Sequence, residues 1–259
     1  MSETRLETQG LSRQFGALVA VQGIDFKLAA GARHALIGPN GAGKTTFVNL
    51  LTGVLPPSHG RVLLAGRDIT AAAQAERVKL GIARTFQINR LFRGLSVLEN
   101  VCIAIAERAG AAGSMFYPAG RRTDIIDESM QLLATLKLAD SAPRRLSELP
   151  YGRQRLVELA IAIALKPEVL LLDEPAAGVP SAESHIILDA IERLPEHIAV
   201  LIIEHDMDVV FRFAKRVTVM VSGAIFAEGT PREIEANQQV REVYLGQAGH
   251  SAFRGDGNG

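Results

Sequence analysis

The chain has 259 residues, and its 28 basic and 28 acidic side chains give a formal net charge of zero. This balance gives no electrostatic argument for binding nucleic acid or an anionic membrane surface. The single cysteine, Cys102, excludes an internal disulfide framework, and no apolar run reaches the ~20 residues that span a bilayer. Residues 1–10 are polar and lack the apolar core of a signal peptide. We therefore expect a soluble, cytoplasmic protein that is long enough for one α/β domain with a small subdomain.

Apolar runs broken by turn residues predict strands in the first third of the chain. The expected strands cover residues 19–28 and 35–37, and a hairpin is expected at 61–69, after the turn cluster at 56–60.

The middle of the chain has a helical apolar period from residue 96 to about 138. One predicted stripe contains Leu98, Val101, Cys102 and Ile105, which gives the cysteine a packing role. The stretch 108–122 is rich in Gly, Ala and Arg and is predicted to be an exposed loop.

Strand and helix patterns alternate in the second half, which is typical of an α/β fold. The continuous apolar runs 169–172 and 200–203 predict strands that are buried on both faces. Helices are predicted at 153–165, 184–194 and 207–212, and one or two short helices at 230–245. The last strand is predicted at 217–221. The polar, Gly-rich residues 251–259 are expected to be a disordered tail.

A phosphate-binding loop is predicted where residues 38–45 fit the pattern G-x-x-x-x-G-K-[ST] between an apolar strand and a helix. Gly41 and Gly43 allow the backbone to turn its N–H groups toward an anion, and the helix N-terminus adds its dipole. Lys44 is expected to reach the β- and γ-phosphates, and the Thr45 hydroxyl to bind Mg²⁺. An ordinary Gly-rich turn is the alternative, but every fixed position of the pattern is filled. The predicted nucleotide-binding residues here are Gly38, Pro39, Asn40, Gly41, Ala42, Gly43, Lys44, Thr45 and Thr46.

Two carboxylates, Asp173 and Glu174, end the buried strand at 169–172. The carboxyl end of a parallel strand faces the ligand crevice, so Asp173 is a candidate for Mg²⁺ and Glu174 for polarising the attacking water. Helix capping by an acid pair is the alternative. His205 follows the next apolar strand and is a candidate sensor of the γ-phosphate. The other five histidines are assigned to turns, helix surfaces or the tail, without chemistry: His34, His59, His185, His197 and His250.

Two further signals are weak when taken alone. Gln87 precedes the helical block, where a neutral amide could ligate Mg²⁺ and act as a hinge. Tyr151 and Gly152 stand just before a strong helical pattern and would expose backbone N–H groups to an anion; a simple loop-to-helix turn is the alternative.

Together these motifs resemble the ATP-binding subunits of ABC transporters over residues 6–245. The resemblance assigns 38–45 to Walker A, Gln87 to the Q-loop, 149–154 to the signature sequence, 169–174 to Walker B and His205 to the switch histidine. It adds Tyr151, Gly152, Arg153 and Gln154 as nucleotide contacts and Phe15 as the ring that stacks on adenine. The implied fold is α/β: a RecA-like P-loop NTPase core with an N-terminal antiparallel β region. One ABC ATPase domain would cover residues 1–250, with a helical subdomain inserted at about 88–160.

Six segments are similar to the branched-chain amino acid transporters within that family: residues 83–92, 95–101, 151–154, 173–178, 228–231 and 243–246. This similarity implies ATP and Mg²⁺ as cofactors, with Glu174 and His205 as catalytic residues. It also implies a second ATPase subunit in a hetero- or homodimer, two membrane permeases, a periplasmic or extracellular solute-binding protein and a place at the cytoplasmic face of the membrane. The alternatives are other cargo (urea or amides, aromatic acids, lipid export), a non-transport ABC ATPase acting on DNA or ribosomes, or a subunit with impaired hydrolysis.

Two prolines depart from the family pattern. Pro150 stands where the signature normally has serine, and Pro180 where the loop after Walker B normally has Asp or Asn. Proline supplies neither an N–H nor a hydroxyl. Since each ATP in the family lies between one chain's Walker A and the other chain's signature, we expect any defect at the site that uses the partner's Walker A.

Overall fold

A computed structural model describes residues 3–85, 91–110 and 119–245, apart from the side chains at 119–122, 181–183 and 244–245. The strands are β1 (Thr4–Phe15), β2 (Leu18–Ala29), β3 (Arg33–Ile37), β4 (His59–Leu64), β5 (Arg67–Asp68), β6 (Ile82–Arg84), β7 (Val169–Asp173), β8 (Ala199–Ile203), β9 (Arg216–Val221) and β10 (Ala224–Gly229). The helices are α1 (Lys44–Leu51), α2 (Gln74–Lys79), α3 (Val97–Arg108), α4 (Ala119–Thr135), α5 (Tyr151–Ala164), α6 (Ser181–Glu192), α7 (Met207–Phe213), α8 (Pro231–Ala236) and α9 (Gln238–Leu245).

The chain divides into two compact units. The first contains the described residues within 1–77, 171–174 and 195–245, and the second contains those within 78–170 and 175–194. No helix among the described residues is long and apolar enough to cross a membrane.

Two sheets build the first unit. An antiparallel sheet has the strand order β2-β1-β4-β5, and the long β1–β2 pair alternates buried and exposed side chains as a half-buried hairpin should. The other sheet has the order β10-β9-β3-β8-β7, with β3 parallel to both β8 and β9. All five residues of β8 are buried, which confirms the strand predicted from the continuous apolar run.

His34 corrects one assignment made from the sequence. It lies in β3 rather than in a turn or on a helix surface, and only 2% of it is exposed. Its Nε2 is 2.8 Å from the Thr218 hydroxyl on β9, and its ring meets Phe26 edge-on. Burial lowers the pKa of His34 to about 4. The sequence pattern did not place His34 in a strand, because β3 begins at Arg33, directly after the turn at 31–32 and two residues before its first apolar side chain.

The second unit is built mainly from helices. Ser96 and Glu99 form a capping box at the start of α3, each side chain satisfying the other residue's backbone N–H. The buried side of α3 contains Val97, Asn100, Val101, Ala104 and Ile105. Of the predicted stripe, Val101 and Ile105 are confirmed as buried, whereas Leu98 and Cys102 are only half-buried.

The predicted loop at 108–122 was also wrong at both ends. Arg108 is the last residue of α3 and pairs with Glu128 of α4 at 2.6 Å, while α4 already begins at Ala119. Alanine and arginine are strong helix formers, so they favoured helix where the neighbouring glycines indicated a loop. Residues 111–118 lie outside the described residues.

Candidate nucleotide-binding site

The loop between β3 and α1 has a backbone that glycine makes possible. Gly41 and Gly43 have φ angles of 80° and 94°, as their place in the motif predicts. A Cβ atom on Gly43 would overlap the Ala20 carbonyl oxygen, and one on Gly38 would overlap the Met220 carbonyl oxygen. Gly41 instead has no atom within 4 Å of the place where its Cβ would be. The two outer glycines thus permit close packing, and Gly41 leaves open space over the loop.

The turn between β9 and β10 supports this loop from behind. The Gly223 N–H donates to the Ala42 carbonyl at 2.9 Å, and the Gly223 carbonyl accepts the Gln22 N–H at 2.8 Å. A Cβ on Gly223 would come within 2.8 Å of the Ala20 carbonyl oxygen. This support could not be predicted from the sequence, because Gly223 is 181 positions from Ala42 in the chain and only the sheet brings them together.

Helix α1 has an N-terminus without a side-chain cap. Its N-cap is Gly43, which makes no side-chain capping bond, and its first turn contains no acidic residue. Such an end carries partial positive charge and attracts anions. Thr45 in this first turn is exposed, whereas Thr46 is half-buried.

Lys44 folds back over the loop. Its Nζ donates to the carbonyl oxygens of Gly38 at 2.5 Å and Pro39 at 3.1 Å. Burial lowers the pKa of Lys44, while the negative charges of Glu174 and Asp173 oppose that shift. The lysine and the two carboxylates therefore lie within electrostatic reach of one another.

Glu174 and His205 are brought together at the ends of β7 and β8. The Glu174 Oε1 is 3.3 Å from the His205 Nδ1, although 46% and 65% of the two side chains are exposed. Glu174 has a left-handed φ of 44°, and its N–H donates to the Ile203 carbonyl at 2.9 Å. A non-glycine residue in this region stores strain of the order of 1 kcal/mol, which the surrounding structure must offset. Asp173 precedes it as the last residue of β7.

Glu204 is a buried carboxyl group that the sequence analysis did not single out. Only 3% of it is exposed, and its Oε2 accepts the His205 N–H at 3.2 Å. Burial raises its pKa to about 7, with the hydrogen bond from His205 opposing the shift. The sequence did contain one indication that this carboxyl group is buried: Glu204 comes directly after a continuous apolar strand, where a charged side chain has little access to water.

Phe15 lies at the end of β1 with 42% of its surface exposed, and the Arg13 guanidinium carbon is 4.6 Å from its ring centroid. An exposed aromatic face is available there for stacking. Gln87 lies outside the described residues, so its predicted place beside Mg²⁺ stays a prediction.

The signature segment lies in the second unit, at the start of α5. Pro150 is the N-cap of α5 and Pro180 is the N-cap of α6, and neither makes a side-chain capping bond. The Arg153 Nη1 contacts Asp140 at 2.8 Å and the Ser141 hydroxyl at 2.6 Å. These contacts hold Arg153 on its own unit.

The other signature side chains also pack within this unit. Gln154 is buried and donates to the Leu149 carbonyl at 2.8 Å, and Gly152 is buried as well. The Tyr151 ring lies beneath the Arg155 guanidinium at 5.3 Å, next to Gly178. Tyr151 is the most accessible of the four, with 41% of its surface exposed.

Comparison with known families decides what this arrangement belongs to. Residues 21–177 match the ABC transporter family model, and residues 224–250 match the model of the branched-chain amino acid ATP-binding cassette transporter. The chain belongs to the ABC transporter family.

Curated relatives of this ABC protein include two from bacteria. One is the high-affinity branched-chain amino acid transport ATP-binding protein LivG of Salmonella typhimurium, which is 38% identical over 255 residues, covering 96% of this chain and all of LivG. The other is BraF of Pseudomonas aeruginosa, a protein described in the same words, with the same identity and coverage.

Solved ABC structures confirm the predicted P-loop NTPase fold. A nucleotide-free ATP-binding cassette from an ABC transporter superposes with a TM-score of 0.82 at 30% identity, covering 93% of this chain and 98% of that one. The ADP conformation of an ATP-binding cassette gives the same TM-score and identity, covering 94% and 99%.

Proposed function

We propose that this ABC protein is the ATP-hydrolysing subunit of an importer for branched-chain amino acids. The observation that carries the proposal is the contact between Glu174 and His205 in the same unit as the glycine loop, 3.3 Å apart. A carboxylate held beside a histidine near an anion-binding loop has the arrangement needed to polarise water for attack on a phosphate.

In the proposed reaction, the backbone of residues 38–46 and the α1 N-terminus bind the phosphates of ATP. Lys44 leaves the Gly38 and Pro39 carbonyls and takes the β- and γ-phosphate oxygens as its partners, which replaces two neutral acceptors by charged ones. Phe15 stacks on the adenine. Glu174 orients the attacking water, and His205 donates to the γ-phosphate.

The residues present fit Mg²⁺. Thr45 and Asp173 offer a hydroxyl and a carboxylate, the hard oxygen ligands that Mg²⁺ prefers, and an exposed Thr45 leaves room for water and phosphate ligands. Gln87 is proposed as a third ligand. When bound, the ion neutralises charge that develops on the transferred phosphoryl group.

We propose that a dimer completes the site. The signature segment, Tyr151 to Gln154, would contact ATP held by the loop of a second ATPase subunit. The exposed N-terminus of α5 and the accessible Tyr151 ring support this role. We further propose that residues 88–160 form the helical subdomain of a domain covering residues 1–250. The proposed tail, 251–259, lies outside the described residues.

The remaining proposed partners are two membrane permeases and a solute-binding protein, which place this subunit at the cytoplasmic face of the membrane. Phe92 in the second unit supports a docking surface there. Its side chain is 57% exposed, yet its backbone is fixed, because Asn100 accepts the Phe92 N–H and donates to the Phe92 carbonyl, both at 3.1 Å. A rigid backbone that presents an exposed aromatic ring suits an apolar anchor.

The cargo is tested by reconstituting the complete transporter in vesicles with ATP inside or outside, as its orientation requires. We expect uptake of labelled leucine, isoleucine or valine that depends on ATP and competes with the unlabelled amino acids. Uptake of urea or an aromatic acid instead would support the ATPase role but would contradict the assignment of branched-chain amino acids as the cargo.

A further inference from the structure

Glu204 is the one buried carboxyl group in direct contact with the proposed catalytic pair, among the residues that the structure describes. It is attached to the sheet through its own N–H, which donates to the Leu36 carbonyl of β3 at 3.3 Å. Its side chain then turns back and accepts the N–H of the next residue, His205, at 3.2 Å. This bond closes a small ring that contains the Glu204 side chain, its Cα and carbonyl carbon, and the backbone nitrogen of His205.

The other side of His205 is fixed as well. Asp206 is the N-cap of α7, and its carboxylate accepts the Asp208 N–H at 2.9 Å. The helix is anchored by the buried side chains Met207, Val209, Val210 and Phe213. His205 thus stands between a capped helix and a buried carboxyl group, and its backbone has little freedom even though its side chain is 65% exposed.

Glu174 is attached to the same strand end. Its N–H donates to the Ile203 carbonyl, one residue before Glu204. The backbones of Glu174 and His205 are therefore both attached at the end of β8, which fixes the positions of the two residues relative to each other. A change of a few tenths of an ångström in the His205 backbone would be transmitted to the 3.3 Å contact between the two side chains.

We propose that Glu204 is a positioning residue for ATP hydrolysis: its carboxyl oxygen, by accepting the His205 N–H, sets the backbone from which His205 meets Glu174. This inference rests on the proposed hydrolytic function. Glu204 itself touches neither ATP nor water in the reaction.

The chemistry of the site indicates that Glu204 positions His205 through its hydrogen-bond acceptor oxygen and not through a negative charge. A second negative charge beside Glu174 is unfavourable, and burial together with Glu174 raises the pKa of Glu204 to about 7. The backbone N–H groups of His205 and Asp206 and the charge of His205 favour the ionised carboxylate, and the charge of Glu174 opposes it. A glutamine would offer the same oxygen at the same distance, whereas an aspartate is shorter by one methylene and would hold its oxygen in a different position relative to the His205 N–H.

The experiment compares Glu204→Gln, Glu204→Asp and Glu204→Leu in the full chain assembled into its transporter. We expect Glu204→Leu and Glu204→Asp to lower kcat about tenfold or more while KM for ATP stays within about twofold, since the phosphate loop is untouched. Glu204→Gln should recover most of the wild-type kcat. The opposite order, with aspartate active and glutamine inactive, would overturn the proposal in favour of a charge effect.

A double-mutant cycle with His205→Ala separates positioning from general structure. If Glu204 acts through His205, Glu204→Leu should have little further effect on kcat once the imidazole is absent. An equal loss in both backgrounds would mean that Glu204 only stabilises the fold. Should Glu204→Leu fail to fold, the comparison of the glutamine and aspartate variants gives the same decision.

A parallel Glu174→Gln variant keeps the two claims distinct. If Glu174→Gln retains full turnover, the proposed function itself is wrong. If Glu174→Gln is slow but the leucine and aspartate variants of Glu204 turn over like wild type, only the positioning role is lost.

Discussion

The Nζ of Lys44 lies 2.5 Å from the carbonyl oxygen of Gly38, the first glycine of its own loop. The lysine is thus held against its own loop, with its charge balanced at longer range by Glu174 and Asp173. Phosphate oxygens would offer the ammonium group charged acceptors, which form stronger hydrogen bonds than these carbonyls do.

Replacing Lys44 by alanine should weaken ATP binding, because the cation that faces the β- and γ-phosphates is lost. We expect the Kd for ATP, measured by titration calorimetry, to rise by about tenfold or more. Lys27→Ala is the matched control, since this lysine is 69% exposed on β2. Wild-type ATP affinity in Lys44→Ala would reject the phosphate-loop assignment.

The buried His34 predicts a pH dependence of stability. Its pKa in the folded chain is about 4, against 6.5 for the ordinary side chain, so the unfolded chain binds the proton more readily between these values. Stability should therefore fall as the pH is lowered from about 7.5 to 5, by roughly 2 kcal/mol from this group.

His34→Gln cannot bind that proton but retains a partner for Thr218, so its free energy of unfolding should lose this part of the pH dependence. Urea unfolding of wild type and variant at several pH values measures the difference. His59→Gln, at an exposed position, reports the effect of removing a histidine from the surface. Parallel pH curves for wild type and His34→Gln would show that His34 is not the responsible group.

The local motifs were predictable, and the groups that support them were not. The loop at 38–44 and the strand ends at Asp173 and His205 could be located from the sequence, because each is encoded within a few neighbouring residues. His34 and Gly223 acquire their roles only from contacts with residues far away in the sequence, whereas the position of Glu204 directly after a buried strand was a local signal.

Asn100 shows the same limit inside a helix. A polar residue was not expected on the buried stripe of α3, but its amide bonds to Phe92 and to the Ser96 carbonyl at 2.9 Å offset the cost of its burial. The apolar periodicity of the sequence does not reveal these hydrogen-bond partners, and so it does not show that Asn100 belongs to the buried side of α3.

Charge at Phe92 should disrupt docking to a membrane subunit. We expect Phe92→Glu to reduce assembly with the permeases and ATP-driven uptake, while the isolated subunit keeps its fold and its ATP affinity. Ile103→Glu is the control, because Ile103 is also an exposed apolar residue of the second unit, with 39% of its surface accessible. Intact assembly and coupled transport in a folded Phe92→Glu subunit would place the docking surface elsewhere.

Pro150 should make the isolated subunit a poor ATPase, since a homodimer carries the altered signature in both sites. The proline is the N-cap of α5 and offers no capping group. Serine would supply both a cap and a donor for the γ-phosphate. Restoring that donor is worth ~2–4 kcal/mol of transition-state stabilisation, or roughly 30- to 1000-fold in rate.

The measurement is steady-state ATP hydrolysis by Pro150→Ser under conditions that permit dimerisation, with Pro150→Ala as the control that removes proline without adding a hydroxyl. With a partner whose signature is intact, one site should hydrolyse ATP and the other, which uses this chain's signature, should turn over slowly. Robust hydrolysis by the unmodified homodimer, or equal rates for the serine and alanine variants, would make Pro150 a tolerated difference.

The central claim is that Glu174, held beside His205, drives ATP hydrolysis, and Glu174→Gln in the assembled transporter tests it most directly. ATP binding and steady-state turnover are measured together, with Glu76→Gln on the exposed surface of α2 as the control. The account predicts unchanged ATP affinity, a longer-lived ATP-bound dimer and turnover slower by on the order of 100-fold or more. Turnover within twofold of wild type would contradict it.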